Sequence, residues 1–249
     1  MSPSKTTIRN YGLVLEIRDE RNRIFGGFNP LPKIVVNPSG QWDLYKTNRE
    51  VQKNNFFDSY NCTGYGWNGG IEFDLNRLGY KNTDKSDRRT GIKAKTRPPG
   101  NDPRKVAQAI HEHGVVAEMS LPFSDEIKTV EDYYSYKGGS EWKCDLEGET
   151  FLNIFDFRYE ELWDDMPEKD ERIKTIKECL TYGVVLASFT AWNEQNGVYV
   201  DGGKRNTHWA IIYGWTDRGW KIFDSYDNAE KVVSFDHKIE VAMRFILIP

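Results

Sequence analysis

The last third of the chain is a series of short apolar runs, each of strand length and each closed by turn residues. They occupy residues 197–200, 208–215, 220–224, 231–235 and 241–248. The middle of the chain follows a helical period instead. Residues 62–80 carry Tyr65, Ile71, Phe73, Leu75 and Leu78 before a stop at Gly79. Asp102-Pro103 supplies a cap and a first-turn proline for a second helix, which ends at Gly114. A third spans 168–181, with Ile173, Ile176 and Leu180 at helical spacing, and leads through Gly183 into a buried strand at 184–189. Helices first and strands last predict an α+β fold with segregated lobes. The first forty residues are broken by Gly26-Gly27, Pro30, Pro32, Pro38 and Gly40, and read as short extended pieces at 13–17 and 33–36. The polar stretch 81–100, ending Arg97-Pro98-Pro99-Gly100, reads as loop. Glycines at 64, 66, 69 and 70 weaken the first helix by roughly 1 kcal/mol each against alanine, a cost that close packing on several sides would offset.

Composition then excludes several classes. A 249-residue chain that is 38% hydrophobic and rich in Phe, Tyr and Trp has ample material for a core, so global disorder is out. The net charge of −4 argues against a nucleic-acid binder that relies on a broad basic face. No apolar run approaches the roughly 18 residues of a membrane helix, so no membrane partner is expected. The start, MSPSKTTIRN, lacks an apolar segment behind its lysine, so no secretory signal is expected. Three cysteines, Cys62, Cys144 and Cys179, form no fully paired disulfide framework and suit a reducing compartment. No metal and no cofactor is expected. His111-Glu112-His113 lacks the spacer of the zinc-protease helix, and Asp201-Gly202-Gly203-Lys204 lacks the phosphate-loop spacing.

Acyl-transfer hydrolysis needs a nucleophile, a base, a group that orients the base, and donors for the oxyanion. Cys62 stands where the polar loop 52–61 meets the first helix, and a helix N-terminus favours the thiolate. His208 opens the run THWAIIYGW, and Asp224 closes the next run, WKIFDSY. A hairpin turning at 216–219 would bring His208 and Asp224 side by side at its outer end. Cys144 and Cys179 have no such context, and Cys179 reads as a core residue.

This order resembles the papain family of cysteine peptidases, most closely its divergent, phage-borne members. H-W-A-I-I-Y-G-W at 208–215 is similar to the family's histidine strand, and D-S-Y at 224–226 stands where the family has N-S-W. His208 follows Cys62 by 146 residues, inside the roughly 130–150 of that family. L-P-K-I-V-V-N-P-S-G-Q-W at 31–42 and K-V-A-Q-A-I-H-E-H-G-V-V-A-E-M-S-L-P-F at 105–123 are similar to its other framework segments. The family's cysteine motif is replaced by Tyr60-Asn61-Cys62-Thr63-Gly64.

The resemblance implies a papain-like two-lobe fold, with a helical lobe at about 58–136 and an antiparallel, barrel-like β lobe at about 137–249 plus the crossing N-terminal segment. It implies peptide-bond hydrolysis through a thioester, with Cys62 attacking, His208 moving the proton and Asp224 orienting His208. Gln52, ten residues before Cys62 rather than the family's six, is the expected oxyanion donor beside the Cys62 N–H, with Asn54 or Asn55 as alternatives. A peptide or protein is the expected substrate. Residues 1–30 are expected to form a short clamp or a docking arm for a virion or other protein partner, and 31–249 the catalytic domain. The expected location is the cytoplasm, of the host cell if phage-encoded, or a virion. Two other outcomes stay open: a non-catalytic papain-like virion or interaction protein, and a cell-wall amidase or peptidase of lysin type.

Overall fold

The structure is a computed structural model that describes residues 12–16, 23–27, 29–48, 50–202, 205–227 and 229–249. Of the N-terminal arm, residues 1–11, 17–22 and 28 lie outside the described residues, as does the end of the extended piece expected at 13–17.

The architecture is α+β, as the order of periodicities predicts. Six helices are found among the described residues: α1 (Cys62–Arg77), α2 (Asp87–Lys93), α3 (Pro103–His113), α4 (Val130–Tyr133), α5 (Glu141–Ile154) and α6 (Lys169–Cys179). A two-stranded ribbon pairs β1 (Gly12–Leu13) with β2 (Gly100–Asn101). The other strands are β3 (Asp156–Glu161), β4 (Val185–Phe189), β5 (Asn193–Gln195), β6 (Val198–Val200), β7 (His208–Trp215), β8 (Trp220–Phe223), β9 (Glu230–Val233) and β10 (Ala242–Ile248). They form one sheet in the order β3-β10-β4-β7-β8-β9-β6-β5, antiparallel except where β6 meets β9.

Helix α1 is buried on nearly every side and lies against β7, at the centre of the sheet. Its glycines allow that approach. A Cβ on Gly66 would sit 2.5 Å from the Trp209 indole, and one on Gly69 would sit 2.8 Å from Ile211. The packing that offsets their poor helix propensity therefore comes from the strand that carries His208.

Three parts of the sequence fold differently from expectation. The stretch 81–100 is not all loop, because α2 lies inside it, capped by Ser86 Oγ accepting from the Arg89 N–H at 3.3 Å. Its buried residues are Asp87, Arg88, Arg89, Thr90 and Gly91, so no apolar period marks it. Arg88 is satisfied by five backbone carbonyls, those of Pro122, Asp132, Tyr133, Ser135 and Lys137. Residues 33–36 form no strand; the chain there is held to the end of α6 by Val36 and Asn37 N–H groups donating to the Thr181 carbonyl. Helix α5, which the periodicity does not reveal, packs against α3 on the helical side although it follows residue 136.

Candidate active site

Cys62 is the first residue of α1, and its position is fixed by the residue before it. The Asn61 side chain donates to the Asp87 carbonyl at 2.8 Å and to the Tyr133 hydroxyl at 3.1 Å, tying the start of α1 to the start of α2. The Asn61 carbonyl accepts from the Tyr65 N–H and opens the helix. His208 is the first residue of β7, which pairs with β4 through Phe189. Strands β7 and β8 form the expected hairpin, closed by Thr216 N–H donating to the Gly219 carbonyl, and Asp224 follows β8 directly.

The three residues converge in a fully buried array. His208 Nε2 lies 2.5 Å from Asp224 Oδ1, and the Cys62 sulfur also interacts with the ring. Burial works against charge on the ring, but the Asp224 carboxylate and then the Cys62 sulfur more than offset it, raising His208 to about 10. Burial likewise opposes charge on Asp224, yet His208 and then Lys231 hold its carboxyl well below the usual carboxylate range. At neutral pH the imidazolium is thus the favoured form. Burial pushes the thiols of Cys144 and Cys179 up. The imidazole is walled by two rings set edge to face, Trp192 at 5.5 Å and Tyr226 at 6.3 Å between centroids.

Gln52 is also brought to this place. It is buried, its Nε2 donates to Asp58 Oδ1 at 2.9 Å, and its Oε1 accepts from the hydroxyl of Ser225, the residue after Asp224. The two alternatives lie elsewhere. Asn54 is taken up by a turn, with Oδ1 accepting from Phe56 and Phe57 N–H groups and Nδ2 donating to the Ile127 carbonyl. Asn55 is exposed.

Two features of the site escape sequence reasoning. One is Lys231, a wholly buried lysine on β9 whose Nζ lies 2.6 Å from Asp224 Oδ2. The signal was available: Lys231 shares the inward side of a short strand with Val233, and an inward lysine needs a carboxylate. The other is the course of the N-terminal segment. Strand β1 runs parallel to β2 on the helical side, and Leu13 N–H donates to the Thr207 carbonyl on the sheet side, at 3.4 Å. Residues 12–16 therefore thread between the two walls that carry Cys62 and His208. Gly12 has φ +108°, and a Cβ on it would lie 2.4 Å from the Tyr60 carbonyl oxygen and 3.1 Å from the Cys62 sulfur. Among the described residues, no group of three or more His, Cys, Asp or Glu side chains could hold a metal ion.

No known family profile matches this sequence, and no curated protein matches it. Solved structures do. Xylellain, a cysteine protease from Xylella fastidiosa, superposes with a TM-score of 0.67 at 15% identity, over 95% of this chain and 96% of that one. The digestive procathepsin L2 of Tenebrio molitor larval midgut gives 0.61 at 14% identity, over 98% and 80%. The Carica candamarcensis cysteine protease CMS1MS2, solved in complex with E-64, gives 0.53 at 11% identity, over 78% and 87%. At such identities the likeness establishes the fold, which is papain-like, as the resemblance in the histidine and framework segments implies.

Proposed function

We propose that the protein is a cysteine peptidase that hydrolyses peptide bonds of a peptide or protein substrate through a thioester acyl-enzyme. The observation that carries this reading is the contiguous buried array of Cys62, His208 and Asp224 at the meeting of α1 and β7. His208 holds the proton of Cys62, and the thiolate attacks the scissile carbonyl carbon to form a C–S bond. The resulting oxyanion faces the Cys62 N–H at the helix start and the Gln52 amide. As the C–N bond breaks, His208 gives its proton to the departing amine. Water then attacks the thioester, the ring takes its proton, and the C–S bond breaks to release the carboxylic acid and restore the thiolate beside the imidazolium. Asp224 keeps the imidazole in one orientation throughout.

Gly12 lies against the thiol, so substrate enters only after the segment 12–16 has moved away. It acts as the clamp among the two roles expected of residues 1–30.

E-64, the epoxide present in the Carica protease structure, provides the test. The full chain and a form lacking residues 1–16 are incubated with it, and adducts are mapped by mass spectrometry. An adduct at Cys62 alone, faster without the segment and lost in His208→Ala, is expected, together with peptide hydrolysis that Cys62→Ala abolishes. Equal labelling of Cys62, Cys144 and Cys179 would refute the reading.

A further inference from the structure

We propose that Lys231 is a positioning residue of the catalytic array: its buried ammonium fixes the Asp224 carboxylate on the imidazole and offsets part of that carboxylate's charge. The inference rests on the peptidase reading and adds to it a fourth member that touches neither thiol nor substrate.

The geometry divides one carboxylate between two cations. Asp224 Oδ1 faces His208 Nε2 at 2.5 Å and also accepts from the Tyr226 N–H at 3.2 Å. Oδ2 accepts from Lys231 Nζ at 2.6 Å. Lys231 reaches Asp224 from β9, where it pairs in register with Ile222 of β8. Its ammonium also bonds the carboxylate of Asp227 and lies 5.2 Å and 5.5 Å from the ring centroids of Trp192 and Tyr199. Two oxygens anchored on opposite sides leave the carboxylate no freedom to rotate away from the ring. The side chains of His208, Asp224 and Lys231 are all closed to solvent.

In such a low-dielectric place the charge count governs the chemistry. A thiolate and an imidazolium cancel. An added carboxylate alone would leave one buried negative charge beside the ring, strengthening its hold on the proton. That hold would make His208 a poorer acid toward the leaving amine. Lys231 offsets that charge, with the half-exposed Asp227 as its second partner, so Asp224 orients the ring while holding its proton less tightly than an unpaired carboxylate would. The remaining charged and titratable groups nearby are Asp227, Lys53 seated 3.9 Å over the Tyr226 ring, Tyr226 itself, and His237 behind Phe189 on β4.

The experiment compares the full chain with Lys231→Met, Asp224→Asn and the double variant Asp224→Asn/Lys231→Met. Two readouts are taken: kcat/KM against pH on one peptide substrate, and the His208 ring signals followed by NMR across the same range. Thermal melting records whether each variant folds. Lys231→Met should lower kcat about 10- to 100-fold with little change in KM, and should move both the basic limb and the ring titration to higher pH. The double variant, with neither buried charge of the pair, should recover at least a tenth of wild-type kcat and titrate below the single variant. If Lys231→Met does not fold, the double variant decides alone: an inactive but folded double variant, or one titrating above wild type, overturns the proposal. A folded Lys231→Met with unshifted limb and ring titration also overturns it and leaves Lys231 a structural residue. Because the NMR titration needs no turnover, it tests Lys231 even in a chain that cleaves nothing, whereas Cys62→Ala tests the peptidase reading itself.

Discussion

Replacing Gly12 by alanine should switch the protein toward its open form. Gly12 occupies a left-handed conformation at φ +108°, and its missing Cβ leaves room for the Tyr60 carbonyl and the Cys62 sulfur. Opposite it, Gly100 at φ +140° comes so near that a Cβ there would fall 1.9 Å from the Gly12 carbonyl oxygen. An alanine at 12 carries the strain of this backbone, of order 1–3 kcal/mol, and adds a contact with a fixed carbonyl. The segment is held among others by burial of Leu13, the Leu13 N–H on the Thr207 carbonyl at 3.4 Å, the Val14 N–H on the Asn101 carbonyl at 2.9 Å, the Glu16 N–H on Asp102 Oδ2 at 2.7 Å and Arg104 donating to the Glu16 carbonyl at 3.4 Å. The ion pair of Glu16 with Lys105 is exposed and adds little. A loss of 1–3 kcal/mol from the closed form corresponds to about a 5- to 150-fold rise in the open-to-closed ratio. The second-order rate of Cys62 alkylation by E-64 should rise by that factor, up to the ceiling set by the form lacking residues 1–16. The assay is mass spectrometry of timed samples, with melting curves to confirm that the fold survives. A folded Gly12→Ala protein labelled at the wild-type rate would refute the reasoning, because the segment would then not govern access to the thiol.

Other outcomes follow from the same geometry. Asp224→Ala should lose far more kcat/KM than Asp224→Asn, since alanine leaves the ring without a partner; equal losses would show that Asp224 does not orient it. In Asp224→Asn the loss of a negative charge destabilises the imidazolium, so the basic limb should move down from about 10, as read from kcat/KM against pH. Gln52→Ala should lower kcat by about 10²–10³-fold with folding intact, and an undiminished rate in steady-state assays would remove Gln52 from the oxyanion site. Burial raises Glu72 to about 7, against 4.5 in the unfolded chain, despite hydrogen bonds from Thr47 and the Lys85 N–H. The folded state then binds the extra proton, so this stability is full below about pH 4.5 and is lost as pH rises toward 7, at up to about 1.4 kcal/mol per pH unit. Denaturant titrations across that range should show a flatter pH dependence for Glu72→Gln.

What could be read from the chain and what could not differ in the range of the interactions involved. A cysteine at a helix start, a histidine at a strand start and an aspartate at a hairpin's far end are local signals, and the fold brings these three together. The order of helices and strands is local too, and it fixes the α+β class. Helix α2 left no trace because its buried side is charged, and Arg88 finds its acceptors more than thirty residues away. The glycines of α1 read as a weakness until β7 is seen pressing on them. Lys231 and the N-terminal segment belong to the same kind. A lysine on the inward side of a strand announces that some carboxylate must meet it, but only the pairing of β8 with β9 says that the carboxylate is Asp224. An extended run at 13 says nothing of where it lies until β2 and Thr207 take it up. On the proposed reading both features act on charge and access at the Cys62 thiol, where a neighbour of opposite sign or a covering chain changes reactivity more than an extra apolar contact would. On that reading the sequence positions most silent about the fold are the ones that set how the thiol of Cys62 behaves.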